Sequence, residues 1–312
     1  MTLSVVIPLY NEEENVKELH SRLKTVLDST GREYEIIYVD DGSSDGTLDL
    51  LQGIQAEDHN SVILSLRRNF GQTAAFAAGF DYARGDVIVT MDGDLQNDPA
   101  DIPKLLELVR DYDIVSGWRK DRKDPFFSRK LPSLIANKLI SKVTGVNLHD
   151  YGCSLKAYRR EVIKNLKLYG EMHRFIPAVA NLYGVKIAEV ETVHHPRLRG
   201  KSKYGISRTV KVVLDLITVK FMLSYSTRPL QFFGPIGLLS AFAGFLVSFY
   251  LSLGKIFQGK DIGGRPLLLL GALLIIVGIQ FIGMGLLGEM MVRVYHETQK
   301  KPIYVIKKVI RE

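Results

Sequence analysis

Short apolar runs alternate along the first 120 residues with stretches whose apolar residues recur at helical spacing. Residues 3–8, 34–39, 61–66, 87–91 and 113–116 have the length and composition of buried strands. Between them, residues 12–27, 45–55, 72–83 and 99–110 read as helices, the first with Asn11 as N-cap and acidic residues in its first turn. Continuous apolar strands separated by helices predict a mainly parallel α/β sheet covered on both faces. Further on, residues 155–158, 186–190 and 192–195 read as strands and 173–182 as a helix. Over residues 205–225, Ile206, Val210, Val213, Leu214, Ile217 and Phe221 recur at helical spacing among Arg208, Lys211, Asp215 and Lys220. That is an amphipathic helix, and its place before a membrane span predicts that it lies among lipid headgroups.

After residue 225 the pattern changes. Residues 229–254 and 266–288 carry no formal charge, and each is long enough for the roughly 20 apolar residues that a bilayer core requires. Two spans forming a hairpin are expected. The division is then a catalytic domain over 1–204, a juxtamembrane helix over 205–228, two spans over 229–290 and a basic tail over 291–312 with a strand-like segment at 302–306.

Charge placement orients this arrangement. The net charge is +7, with Lys211, Lys220 and Arg228 before the first span and Arg293, Lys300, Lys301, Lys307, Lys308 and Arg311 after the second. The positive-inside rule puts both chain ends in the cytoplasm. The opening residues lack a basic n-region and an h-region of signal-peptide length. The only cysteine, Cys153, allows no intrachain disulfide and reads as a small packed residue. No nucleic-acid motif accompanies the positive charge.

In parallel sheets, ligands bind beyond the carboxyl ends of the strands. Three such ends are polar here: Tyr10-Asn11-Glu12, Asp40-Asp41-Gly42-Ser43 and Asp92-Gly93-Asp94. No G-x-G-x-x-G follows the first strand and no P-loop pattern occurs, which argues against dinucleotide dehydrogenases and P-loop NTPases. Asp92 and Asp94 stand two apart and share a face if the chain is extended. Paired carboxylates with an amide from Gln96 suit Mg²⁺ or Mn²⁺ held against a diphosphate. Asp40 and Asp41 can accept hydrogen bonds from a base or from ribose hydroxyls. Gln72 adds an amide after the third strand.

The segments SVVIPLYNEEEN, VDDGSSDGT, RRNFGQTAAFAAGFDYARGD and MDGDLQNDP resemble the successive motifs of family 2 glycosyltransferases of GT-A fold. More narrowly, they are similar to the polyprenyl-phosphate glycosyltransferases. The resemblance implies that Pro8, Tyr10, Asn11, Glu12 and Asp41 hold the nucleoside with Asp40 in support. It implies that Asp92, Asp94 and Gln96 hold the metal, and that the transfer inverts the anomeric carbon. Arg119 and Arg129 match arginines that bind the lipid phosphate in similar enzymes. Arg199, Lys201 and Lys203 match a basic loop that closes over the donor diphosphate. Asp150, in HDYGCSLKAY, matches an acid that acts as a base or orients the acceptor.

The expected reaction is transfer of a hexose from a UDP-sugar to undecaprenyl or another polyprenyl phosphate at the cytoplasmic membrane face, with glucose favoured. GDP-mannose, UDP-GlcNAc and a modified UDP-arabinose are the alternative donors. A transferase acting on hydroxyl acceptors is disfavoured, because Arg228-Pro229-Leu230-Gln231-Phe232 replaces the Q-x-x-R-W segment usual before the spans of such synthases. A catalytically silent membrane protein is disfavoured by the intact acidic and basic groups. The strand-like tail argues for a homo-oligomer, and the resemblance implies a tetramer. His194 and His195 read as structural, since no third ligand has zinc-like spacing.

Overall fold

A computed structural model describes residues 1–120, 137, 140–141, 144–166, 168, 172–196, 229–259, 261, 265–298 and 302–311. For residues 182, 258, 289 and 292–298 the backbone alone is described. The expected juxtamembrane helix, Arg129, Arg199, Lys201 and Lys203 lie outside the described residues.

The chain divides into two compact units, Met1–Val219 with Pro302–Glu312, and Lys220–Lys301. The first is built on β1 (Leu3–Leu9), β2 (Tyr34–Asp40), β3 (Ser61–Leu66), β4 (Val87–Thr90), β5 (Ile114–Trp118), β6 (Lys156–Arg159), β7 (Ile187–Glu191) and β8 (Ile306–Ile310). They form one sheet in the order β7-β5-β6-β4-β1-β2-β3-β8. All neighbours pair in parallel except at β6 and β8, which run against the others. Helices α1 (Glu13–Ser29), α2 (Thr47–Glu57), α3 (Gln72–Tyr82) and α4 (Ile102–Leu108) connect the strands. Val16, Leu19, Leu23 and Leu27 form the buried stripe of α1, at the spacing that keeps one helix face on the sheet.

Strand order reverses at β1. The chain steps from β1 outward through β2 and β3, then returns to place β4 on the other side of β1. The crevice beyond this reversal is where such sheets bind ligands, and it opens between Leu9 and Met91. Because β6 is antiparallel, the turn that precedes it opens on the same sheet edge.

Three expectations differ from the structure. Asn11 does not cap α1: its φ is 53°, and its side-chain carbonyl accepts from the Ser44 amide at 2.8 Å, tying two strand-end loops together. Residues 192–195 form no strand; a single bridge joins Asn97 and His194. The tail strand lies at residues 306–310 rather than 302–306, and β8 pairs with β3 of the same chain. One edge of the strand that argued for a partner chain is therefore taken by β3, and its other edge forms the end of the sheet. Tyr304 anchors the tail by donating to Asp81 at 2.6 Å, and Arg311 pairs with Glu35 at 3.0 Å.

The second unit is a hairpin of α5 (Leu230–Gln258) and α6 (Pro266–Thr298). Both helices are long and apolar enough to cross a membrane, over Leu230–Phe257 and Pro266–Gly288. Glycines let their backbones approach closely. A Cβ on Gly278 would lie 2.5 Å from the Gly237 carbonyl oxygen, and one on Gly244 would lie 2.5 Å from that of Gly271. The pairs sit seven residues apart on each helix, and Ser240 Oγ donates to the Leu274 carbonyl at 2.8 Å between them. Small residues at such a seam hold spanning helices together by packing. Gly278→Leu is expected to cost about 1–3 kcal/mol by overpacking and to lower the melting temperature in detergent. An unchanged melting temperature would contradict the seam.

Candidate active site at the strand ends

The turn after β4 carries the two carboxylates. Gly93 is needed there because a Cβ would lie 2.2 Å from Leu9 Cδ2; without one, the turn folds down onto the end of β1. The next residue but one, Leu95, is buried and held at φ 61°, a conformation that costs a non-glycine residue about 1–2 kcal/mol. Asp92 and Asp94 are half-buried. Gln72, the first residue of α3, donates to Asp92 Oδ1 at 2.7 Å. Asp94 Oδ1 accepts the Gln96 amide at 3.2 Å. The Gln96 side-chain nitrogen faces the His195 carbonyl at 3.5 Å, which leaves its amide oxygen as the end that can ligate.

Burial, and then the charge of Asp94, push the Asp92 carboxyl above its ordinary range. A carboxylate whose proton affinity is raised by a second carboxylate beside it fits a hard divalent cation. Among the described residues no group of three or more His, Cys, Asp or Glu side chains gathers as a metal site. The donor set thus fits an ion completed by substrate oxygens. The raised pKa also fixes a sign. The Asp92 contribution to stability is fully present below the ordinary carboxylate pKa and is lost as pH rises through the elevated one. A divalent cation competes with that proton, so Mn²⁺ should raise the melting temperature more at pH 8 than at pH 5. An equal shift at both would count against Asp92 as a ligand.

The neighbouring strand ends form a scaffold around this turn. Asp40 accepts from the Ser43 amide at 3.0 Å and from Ser65 Oγ at 3.2 Å. Asp41 accepts from the Phe70 and Gly71 amides at 2.7 and 2.9 Å, which positions the loop leading to Gln72. Burial, only partly offset by those two amides, raises the Asp41 pKa. Gly42, at φ 70°, lies so close to Arg68 that a Cβ would fall 2.5 Å from its carbonyl carbon. Pro8, Tyr10, Asn11 and Glu12 line the end of β1 and are half-buried. The Glu12 amide donates to Thr47 Oγ1 at 2.9 Å.

On the other side lies a buried ion pair. Arg119, one residue past β5, donates to Asp150 through Nε at 2.7 Å and through Nη2 at 3.0 Å. The side chains are 14% and 4% exposed. Burial opposes the Arg119 charge, but Asp150 outweighs it and the guanidinium pKa is raised. Asp150 Oδ1 also accepts from the Gly152 amide at 3.1 Å. Arg119 Nη1 has no acceptor among the described residues, so that edge of the fork can take a phosphate oxygen.

Several further side chains hold these groups, and of them sequence reasoning picks out only His195, as structural. His195 pairs with Asp98 at 2.9 Å and its amide donates to the Gln96 carbonyl at 2.9 Å, which braces the segment after the carboxylates. Thr73 Oγ1 and His173 Nδ1 lie 2.7 Å apart, joining the start of α3 to the turn at Met172–Phe175. Glu189 binds the 149–150 backbone. Of these only Thr73 stands in one of the motifs. Their only signal was a polar residue inside an otherwise apolar segment.

The chain matches the family model described as glycosyl transferase family 2 over residues 4–167. It is 48% identical to the dodecaprenyl-phosphate galacturonate synthase of Rhizobium johnstonii, covering 99% of this chain and 93% of that protein. It is 39% identical to the undecaprenyl-phosphate 4-deoxy-4-formamido-L-arabinose transferase of Aeromonas hydrophila, covering 99% and 94%. Among solved structures, glucosyl-3-phosphoglycerate synthase from Mycobacterium tuberculosis, in complex with Mn²⁺, UDP and glucosyl-3-phosphoglycerate, superposes with a TM-score of 0.55 at 19% identity. It covers 71% of this chain and 79% of that one.

Proposed function

The chain belongs to glycosyl transferase family 2 and has its GT-A fold, and from that premise we propose that it transfers a sugar from a nucleoside diphosphate to a polyprenyl phosphate. One observation carries the reading: a half-buried arginine, held by two bonds to Asp150, stands beside a pair of carboxylates at the same sheet edge. An anion site next to a cation site is what joining a lipid phosphate to a metal-bound diphosphate sugar requires.

The division of labour follows from the chain's own groups. Asp92, Asp94 and Gln96 would hold Mg²⁺ or Mn²⁺, whose chemistry when bound is to neutralise charge on the diphosphate. Gln72 fixes Asp92. Pro8, Tyr10, Asn11, Glu12 and Asp41 would surround the nucleoside, with Asp40 shaping the loop beneath it. Arg119, with Arg129, would bind the acceptor phosphate, and Arg199, Lys201 and Lys203 would face the leaving diphosphate. A phosphate monoester has a second pKa near ~6 and is mostly dianionic at neutral pH, so it attacks the anomeric carbon without a base. The Asp150 geometry supports this, since both its oxygens are already occupied by Arg119 and it serves as that residue's counter-ion. A hydroxyl acceptor would need a base, and Asp150 is poorly placed to be one.

The names of the relatives favour a galacturonate or a 4-deoxy-4-formamido-arabinose donor over the glucose expected from sequence. The two apolar helices support attachment to the cell membrane. Two crossings return the chain to the side it left, as the pairing of β8 with β3 demands, and the flanking lysines and arginines favour the cytoplasm for that side. The test is transfer in detergent, with Mn²⁺, undecaprenyl phosphate and labelled UDP-galacturonate, UDP-4-deoxy-4-formamido-arabinose or UDP-glucose in parallel. Label should enter the organic phase with one of the modified sugars and vanish with EDTA. Donor hydrolysis without lipid labelling would sink the acceptor assignment.

A further inference from the structure

Four neighbouring strands each place one polar residue in the same register row: Thr90 on β4, Lys156 on β6, Ser116 on β5 and Glu189 on β7. Residues directly opposite one another share a sheet face. Three of the four grip one turn, residues 149–155, at successive points. Glu189 Oε1 accepts from the His149 amide at 2.8 Å and the Asp150 amide at 3.2 Å. Its Oε2 lies 2.8 Å from His149 Nδ1. Lys156 donates to the Tyr151 carbonyl at 3.3 Å and to the Cys153 carbonyl. Thr90 Oγ1 donates to the Ser154 carbonyl at 2.7 Å. An anion therefore holds the N–H groups where the turn begins, a cation holds carbonyls in its middle, and a hydroxyl holds one near its end.

A turn of this length does not need a buried lysine to close. Lys156 is 2% exposed, and burying an ammonium is costly unless its partners are in place. What the turn carries is Asp150, whose carboxylate fixes Arg119. We propose that Glu189 and Lys156 are positioning residues for acceptor phosphate binding: by clamping the start and the middle of the 149–155 turn, on either side of Asp150, they hold Asp150 in the orientation that keeps the Arg119 fork in place. This rests on the reading of Arg119 as an acceptor-phosphate ligand. Glu189 acts on the acceptor side, because its bonds to this turn stop at residues 149 and 150, whereas the far end of the turn also reaches Asp92 through Ser154.

The experiment uses the full chain in detergent. Glu189→Ala should raise the KM for polyprenyl phosphate about 10-fold or more, with donor KM and nucleotide affinity changed less than about 2-fold. Glu189→Gln keeps an acceptor oxygen and should recover most of the loss. Asp150→Ala combined with Glu189→Ala should be no worse than Asp150→Ala alone, since the two act through one path. Hydrogen exchange at the 149 and 150 amides should accelerate in Glu189→Ala. Lys156→Met should shift the same KM; if it does not fold, the Glu189 variants carry the test. Equal effects on both substrates, additivity with Asp150→Ala, or unchanged amide exchange would each overturn the inference. A wild-type enzyme that labels no lipid would instead overturn the acceptor reading, and amide exchange would still report whether the clamp exists.

Discussion

Asp94→Asn should lower turnover on the order of 10³-fold while leaving the melting temperature nearly unchanged. Asparagine is isosteric and keeps a carbonyl oxygen for the Gln96 amide, so the turn should survive. It removes one of the two charges that oppose the metal. Asp94 is the better probe of the pair, because Asp92→Asn also disturbs Gln72, which donates to Asp92 at 2.7 Å. The loss should appear in kcat at saturating donor, and raising Mn²⁺ should restore part of it if the defect is in metal affinity. Turnover within about 3-fold of wild type would remove the metal from this reading.

Arg119 is the second decisive position. Arg119→Lys keeps the charge but cannot meet both Asp150 oxygens at once and present an edge to a phosphate. Its KM for lipid phosphate should rise, and kcat/KM should fall about 10²–10³-fold. Arg119→Met does something different. It leaves Asp150, 3% exposed, as a buried carboxylate without its counter-ion, which costs about 3–5 kcal/mol of stability. The lysine variant thus reads phosphate recognition and the methionine variant reads the buried pair. Asp150→Asn separates base from counter-ion: a base would abolish activity and change the pH profile, whereas a counter-ion would lower activity with the profile kept. Full activity in Arg119→Lys would assign the phosphate to another group.

Much of this site was legible before any coordinates, because the parallel strands announce themselves as apolar runs and their polar ends stand out. Asp92, Asp94 and Gln72 stood out that way and Arg119 through the resemblance, and the fold brings the four together at the strand ends. What was hidden lies in pairings between segments distant in sequence. Nothing near Asp41 indicates that its carboxylate accepts from Phe70 and Gly71, because that contact depends on how two loops meet. Asn11 looked like a helix cap because its type and position fit one, yet a partner 33 residues away takes its side chain. The row Thr90, Ser116, Lys156 and Glu189 was visible only as single polar residues in apolar strands, and strand register is what aligns them. The tail strand was misplaced by four residues, since short apolar segments give no sharp boundary and the β3 edge decides which residues pair.

The pairing of β8 with β3 also sets an order of events during synthesis. About 240 residues separate the end of β3 at Leu66 from the start of β8 at Ile306, and both apolar helices lie between them. At a ribosome speed of roughly 5–20 residues per second, the β3 edge stays open for tens of seconds. It closes only when β8 emerges, after the hairpin has been made. The sheet is therefore completed only after both apolar helices have been made, and a nascent chain that stalls within the hairpin cannot complete it.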